Sequence, residues 1–268
     1  MPDKPFITLT TDFGLKDPFA GLMKGVILSI NPNAMITDIS HNIERHNIFE
    51  AAQTLSMSYP YFPQTSIHVA VVDPGVGGKR RPILVITDDH YFIGPDNGIF
   101  TPVIKNTKNR YLKVIHITAS HYFQPMSGST FHGRDIFAPI AAWLSKGVES
   151  GKFGDEIDDY ITIPFPVPVI SEGNISGEVV STDSFGNVIT NITREHLSAL
   201  TSPDSWDGCK IYFNDNQIPL VNFYSEHDSS GTHAIINSFG HLELFLYKDN
   251  ASSKLGIKLG DKVSVQLA

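Results

Sequence analysis

The sequence predicts an α/β protein: an N-terminal, mostly parallel α/β sandwich domain over residues 1–165, followed by a smaller all-β barrel domain over 175–268. Three observations carry that expectation. Apolar runs alternate as strand, helix, strand, helix, strand up to Asp73, an order that favours parallel pairing with right-handed crossovers. Pro164, Pro166 and Pro168 then stiffen an extended connector. Beyond it no long 3.6-residue period survives, and short β-branched runs recur between turn residues at roughly even spacing.

The elements follow in order. Phe6–Thr10 is a first strand that ends in the turn Thr11-Asp12-Phe13-Gly14. Asp17-Pro18 reads as an N-cap with proline at the first helical position. Phe19, Leu22, Met23, Val26, Ile27 and Ile30 keep helical spacing until Asn31-Pro32 stops the helix. Met35–Ser40 is a second strand, and 47–59 a second helix carrying Ile48, Ala51, Ala52 and Leu55. Val69–Asp73 is the third strand. Ile83–Thr87 and Tyr91–Ile93 flank Asp88-Asp89 as a hairpin, GPDNG at 94–98 is a dense turn signal, and Val114–Ile117 is a short strand. The stretch 127–147 opens with SGSTFHGRD and passes into a helix with Ile136, Ile140 and Leu144 on one face, which puts His132 at or just before its N-terminus. There the helix dipole disfavours an imidazolium. The later runs are 177–181, 187–192, 210–213, 218–223, 233–236, 242–246 and 262–266.

Bulk properties narrow the function. A net charge of −8 and the lack of a basic stripe argue against a nucleic-acid partner. No apolar run reaches the roughly 18 residues a membrane helix needs, and the N-terminus lacks a signal-peptide core. One cysteine, Cys209, leaves no internal disulfide framework and no Cys-based zinc site. The sequons at Asn174, Asn191 and Asn250 are then accidental, and the expected compartment is the cytoplasm. The eleven histidines show no metal-ligand spacing, so no metal is expected.

VAVVDPGVGGKRR at 69–81 is the chemically richest stretch. A buried strand ends in the carboxylate of Asp73, a Gly-rich loop follows, and Arg80 and Arg81 come next. Open α/β sheets place ligand crevices at such strand ends, although an Asp–Arg pair in a structural turn has the same pattern. Together with Thr11-Asp12-Phe13-Gly14 and Asp17, GPDNG at 94–98, TFHGRDIFAP at 130–139, DSFGN at 183–187 and NSFGHLEL at 237–244, the chain resembles the S-adenosyl-L-methionine (SAM) hydroxide adenosyltransferases, relatives of the SAM-dependent fluorinase and chlorinase. The six stretches run in order along nearly the whole chain.

The resemblance implies a SAM hydrolase, in which water or hydroxide displaces methionine at the 5′ carbon of SAM to give adenosine and L-methionine. It implies a homotrimer, with SAM between the N-terminal domain of one subunit and the C-terminal domain of its neighbour, and SAM as substrate without a cofactor. Asp73, Arg80 and His132 match the family's water-holding set, which is not intact in the halogenating branch. Asp12 matches the acceptor for the ribose hydroxyls. Asp17, Asp183 and Ser238 match contacts to the methionine ammonium and carboxylate. Phe185 and Phe223 match the walls around adenine, with Asn187 and the Asn250-Ala251 backbone at its polar edge. Departures fall at Phe19, where the halogenases carry a small hydroxyl residue, at His46, near an aromatic position over the ribose, and at Phe239, where an arginine stands near the methionine end.

The chemistry suits these side chains. A sulfonium leaves without acid help, so the protein must hold one water in line with the C–S bond, about 3–3.5 Å from carbon. Arg80 supplies fixed positive charge. His132 is expected to accept the water's proton or a hydrogen bond, and Asp73 to orient Arg80 or His132. Arg81 is the neighbouring candidate. A halogenase, a SAM- or adenosine-binding module with little turnover, and a metal-dependent hydrolase are the alternative readings.

Overall fold

The structure is a computed structural model that describes residues 5–106, 111–125, 127–201, 206, 208–226 and 231–267. The chain divides into two compact units, Met1–Pro164 and Phe165–Ala268.

In the first unit β1 (Phe6–Thr11), α1 (Phe19–Ile30), β2 (Met35–Ser40), α2 (Ile48–Ser58) and β3 (Ile67–Val71) follow one another. Then come β4 (Pro82–Thr87), β5 (Tyr91–Pro95), α3 (Thr101–Asn106), β6 (Leu112–Ile117), α4 (Ala138–Ser145) and β7 (Gly154–Glu156). The sheet runs β2-β1-β3-β5-β4-β6-β7. It is mixed: β2, β1, β3 and β5 are parallel neighbours, whereas β4 is antiparallel to both β5 and β6, and β6 to β7. The helices α1 and α2 carry the chain back for the parallel pairs β1/β2 and β1/β3, β4 does so between β3 and β5, and the Asp88-Asp89 hairpin joins β4 antiparallel to β5. Ile7, Leu9, Val69 and Val71 of the sheet pack with Met23 and Ile27 of α1 and Ile140, Ala141 and Leu144 of α4 in one core. α2 and α3 pack on each other and bury Ala51, Ala52, Leu55 and Val103.

This topology sets the strand ends. Thr11 of β1 is level with Val71 of β3 in parallel register. Asp12 and Asp73 therefore leave the sheet at the same edge, the carboxyl end of adjacent strands, where such sheets hold ligands.

The second unit holds β8 (Val169–Ser171), β9 (Asn174–Thr182), β10 (Val188–Thr193), α5 (Arg194–Leu200), β11 (Cys209–Phe213), β12 (Asn216–Ile218), β13 (Thr232–Ile236), β14 (His241–Leu246), α6 (Ala251–Leu255) and β15 (Lys262–Leu267). Its strands run β12-β11-β15-β9-β10-β14-β13, with β8 on β9, all antiparallel. A bridge from Leu220 to Ala234 brings the chain after β12 against β13, so the sheet nearly closes into a barrel. Alternate residues such as Val263 and Val265, or Leu242, Leu244 and Leu246, fill its interior.

Several local expectations change. Pro18, not Asp17, takes the cap position of α1, without a side-chain cap bond. Asp17 is exposed in the turn before it, and Phe19 begins the helix. The helix expected within 127–147 begins as a π-helical turn, Gly133–Phe137, that passes into α4. In the second unit α5 and α6 are too short to show a helical period, and of the strand expected over 218–223 only Ile218 belongs to β12, with a single bridge at Leu220 beyond it. Among the described residues no helix is long and apolar enough to cross a membrane.

Candidate functional site

Two sets of side chains form around loops that the glycines permit. After β3, the chain turns through Pro74–Gly78 and returns with Arg80. Gly77 has φ of +75°, and a Cβ there would sit 2.5 Å from the Ser129 carbonyl oxygen. Only glycine allows the loop to press against the 127–131 segment, and that approach carries Arg80 to His132. The GPDNG turn supports the strand end, because Asn97 Nδ2 donates to the Val72 carbonyl at 2.9 Å.

Arg80 lies between the other two members of its set. Its Nε donates to Asp73 Oδ1 and Oδ2 at 3.0 and 2.8 Å, and its Nη2 also meets Asp73 Oδ2. Nη2 is 2.6 Å from His132 Nδ1. The Arg80 and Asp73 side chains are only 8% and 4% exposed, so the pair is shielded from solvent screening. The guanidinium also lies over the Phe137 ring, 5.4 Å from its centroid. Its remaining nitrogen, Nη1, is buried and donates to no acceptor among the described residues.

His132 sits at the cap position of the π-helical turn and makes no cap bond. Its imidazole is held below the ordinary pKa, first by burial and then by the Arg80 charge, against opposing pulls from Asp73 and Asp135. Burial and the Arg80 charge thus favour the neutral ring. An arginine can only donate, so His132 Nδ1 is the acceptor in its contact with Nη2. The neutral ring then carries its proton on Nε2 and offers a donor there.

Arg81 has other work. Its Nε and Nη2 hold Asp96 Oδ2 at 3.0 and 2.7 Å, and its Nη1 holds Asp159 Oδ1 at 2.6 Å. Asp12 stands apart from the Arg80 group, with Oδ2 accepting from His46 N–H at 3.0 Å. His46 reaches it from a left-handed backbone, φ +65°. Thr11 Oγ1 bonds His41 Nδ1 at 2.8 Å, and Gly14 N–H donates to the His41 carbonyl, which fixes the loop on both sides of Asp12. Phe13, Phe19 and Phe131 meet edge to face at 5.3–5.7 Å between centroids. These rings, with Thr130, Arg134 and Asp135, line a cavity of about 540 Å³.

In the second unit Asp183, Phe185, Asn187 and Asn250 line one cavity of about 700 Å³. Asp183 shapes its rim, with Oδ1 accepting from Phe185 and Asn187 N–H and Oδ2 from Asn187 Nδ2. Gly186, at φ +85°, faces the Asn250 side chain so closely that a Cβ would sit 2.2 Å from it. Asn250 caps α6 through Ser253 N–H, with Ala251 buried behind it. Ser238 and Phe223 lie outside the lining of this cavity. Ser238 is exposed in the turn between β13 and β14, and Phe223 is 55% exposed beside Tyr224. Sequence reasoning missed Tyr224, which lines the cavity, and Glu243, whose carboxylate accepts from it. A lone acid inside the apolar strand run 242–246 was the available signal for Glu243. Among the described residues no group of three or more His, Cys, Asp or Glu side chains could hold a metal ion.

Comparisons with known proteins agree along the chain. Residues 7–154 match the SAM hydroxide adenosyltransferase N-terminal domain, and 177–264 match the C-terminal domain of that family. A protein named (R)-S-adenosyl-L-methionine hydrolase from Methanocaldococcus jannaschii is 35% identical, over 97% of this chain and 95% of its own. A fluorinase from Actinopolyspora mzabensis is more distant, 24% identical over 98% of this chain and 97% of its own. The crystal structure of an uncharacterized conserved protein from Thermotoga maritima superposes with a TM-score of 0.88 at 33% identity, covering 97% of this chain and 99% of the other. On both domain matches and on identity over nearly its full length, the chain belongs to the SAM hydroxide adenosyltransferase family.

Proposed function

We propose that the chain is a SAM hydrolase that forms adenosine and L-methionine. The observation that carries this reading is the buried Arg80, fixed by Asp73, facing His132, and left with a donor at Nη1. In this reading Arg80 Nη1 and His132 Nε2–H donate to one oxygen atom of the nucleophile. Two donors favour an oxygen with hydroxide character over a neutral water. Hydroxide attacks the 5′ carbon, the C–S bond breaks with its electron pair going to sulfur, and the sulfonium becomes the neutral thioether of methionine. No proton acceptor is then needed at His132, which donates here, whereas the expectation from sequence is that it accepts the water's proton or a hydrogen bond. Asp73 neutralises part of the guanidinium charge and fixes its plane.

The binding roles use the atoms that local bonds leave over. Asp12 Oδ1 is available for the ribose hydroxyls once Oδ2 has taken His46 N–H. Asn187 has committed Nδ2 to Asp183, so its Oδ1 is the group to accept from the adenine amino group. Phe185 and Phe223 would flank adenine, with the Asn250-Ala251 backbone at its edge. Asp17, Asp183 and Ser238 would meet the amino-acid end. The family resemblance favours a homotrimer with SAM shared between the N-terminal unit of one subunit and the C-terminal unit of the next. The lone cysteine and the SAM substrate favour a cytoplasmic reaction.

The test is incubation of the purified protein with SAM, with and without halide and chelator, and chromatography of the products. Adenosine and methionine in equal amounts, unaffected by either addition, support the proposal. 5′-Halo-adenosine, chelator-sensitive turnover, or binding without turnover each contradicts it.

A further inference from the structure

Glu243 is 3% exposed in the middle of β14, yet both of its carboxylate oxygens are occupied by groups from different loops. Tyr224 Oη donates to Oε1 at 2.8 Å, and Asn237 Nδ2 donates to Oε2 at 2.9 Å. Tyr224 belongs to the segment between β12 and β13, lies edge-on to Phe245 at 4.8 Å, and lines the cavity with Phe185, Asn187 and Asn250. Asn237 builds the turn that holds Ser238 and Phe239, since its Oδ1 accepts from Phe239 and His241 N–H and its carbonyl from Gly240 N–H. One buried carboxylate thus ties the adenine wall to the turn assigned to the amino-acid end.

We propose that Glu243 is a positioning residue that sets the spacing between these two arms of the SAM site. The inference rests on the reading of the chain as a SAM-consuming enzyme with its adenosine in this cavity. Burying a carboxylate is costly unless its acceptors are filled, and this buried position, on the face of β14 opposite Leu242 and Leu244, would be filled more cheaply by an apolar side chain. Burial and the nearby Asp183 push the Glu243 carboxyl above its ordinary range, with the Asn237 and Tyr224 bonds pulling the other way. A strand position that retains such a group against that cost uses it to hold something in place.

Glutamine can keep both bonds, accepting from Asn237 through its oxygen while its amide donates to Tyr224 Oη. Alanine keeps neither. The experiment measures KM and kcat for SAM, the inhibition constants of adenosine and L-methionine, and the thermal midpoint, on full-length Glu243→Ala, Glu243→Gln, Tyr224→Phe and Asn237→Ala proteins. Glu243→Ala is expected to raise KM and both inhibition constants roughly tenfold with kcat nearly unchanged, as loss of ground-state positioning requires. Tyr224→Phe should weaken adenosine alone, Asn237→Ala methionine alone, and Glu243→Gln should recover most of the loss.

Wild-type constants in Glu243→Ala and Tyr224→Phe overturn the proposal, as does a Glu243→Gln protein as impaired as the alanine variant. If Glu243→Ala does not fold, unchanged adenosine inhibition in Tyr224→Phe overturns it alone, and a selective adenosine defect there with recovery in Glu243→Gln sustains it. Failure of the SAM-hydrolase reading would look different: the wild-type protein would bind adenosine but leave SAM intact, and Tyr224→Phe and Glu243→Ala would still report on Glu243 through adenosine affinity.

Discussion

Arg80 Nη2 approaches His132 Nδ1 to 2.6 Å, and because a guanidinium has no acceptor this single contact decides which ring nitrogen bears the proton. His132 is thereby a donor at Nε2. A glutamine at this position also offers one acceptor and one donor, whereas alanine offers neither. We expect His132→Ala to lower kcat by about 100-fold or more with KM little changed. His132→Gln should retain clearly more activity than His132→Ala, and single-turnover rates check the order. Equal loss in both variants would mean that His132 acts as a proton acceptor.

The pH profile follows from the same contact. Burial and Arg80 lower the His132 pKa, so the ring is neutral at and above the usual imidazole midpoint near 6.5. Protonation at lower pH puts a hydrogen on Nδ1 against the Arg80 donor, and activity should fall there. Above neutrality no further change in His132 occurs, so a rate that goes on rising with pH reports hydroxide. A plateau that begins just above the His132 pKa would instead assign the proton transfer to the imidazole. Steady-state kcat/KM between pH 5 and 9 distinguishes the two.

The two adjacent arginines should separate cleanly. Arg80→Ala removes the donor at the reacting oxygen, and its expected signature is a kcat loss of about 100- to 1,000-fold. Arg81→Ala leaves the Asp96 carboxylate, 2% exposed, without its cation. Asp96 keeps its bond from Ile161 N–H but loses its cation, so the expected signature is a lower denaturation midpoint. Activity at low temperature should be less affected. Parallel kinetic and denaturation measurements on both variants check the assignment.

Part of the Asp73–Arg80–His132 cluster was legible in the sequence. Strand ends rich in carboxylate and glycine marked Asp12 and Asp73, and the quoted motifs supplied Arg80, His132, Asp183 and Asn187 through family resemblance. Local pattern could not reveal which arginine turns inward, because Arg80 and Arg81 differ only in the long-range partners Asp73, Asp96 and Asp159. Nor could it reveal Glu243 as a junction, since Tyr224 and Asn237 come to it from opposite sides in sequence. The mixed sheet had the same cause. The Asp88-Asp89 hairpin already makes β4 antiparallel to β5, but only the pairing shows that β5 rather than β4 lies beside β3 and that β6 adds antiparallel to β4.

A pair of histidines away from the site should govern acid stability. His68 and His90 are buried, with His68 Nδ1 bonded to Thr8 Oγ1 at 2.8 Å and its ring stacked on Phe92. Burial lowers both imidazoles, His68 to about 3. The unfolded chain binds protons near pH 6.5 that the folded chain refuses, so stability is complete above that pH and is lost on descent toward 3. His68 alone should remove about 2 kcal/mol by pH 5. Urea midpoints at pH 7.5 and 5 measure the slope, and His68→Asn should flatten it. An unchanged slope would show that other groups carry the acid sensitivity.

The central claim, that an oxygen poised by Arg80 and His132 replaces sulfur on the 5′ carbon, is met most directly by turnover of SAM in heavy-oxygen water. Mass spectrometry of the product should find one heavy oxygen in adenosine, on the 5′ hydroxyl, and none in methionine. Unlabelled adenosine, or label appearing in methionine instead, would contradict it.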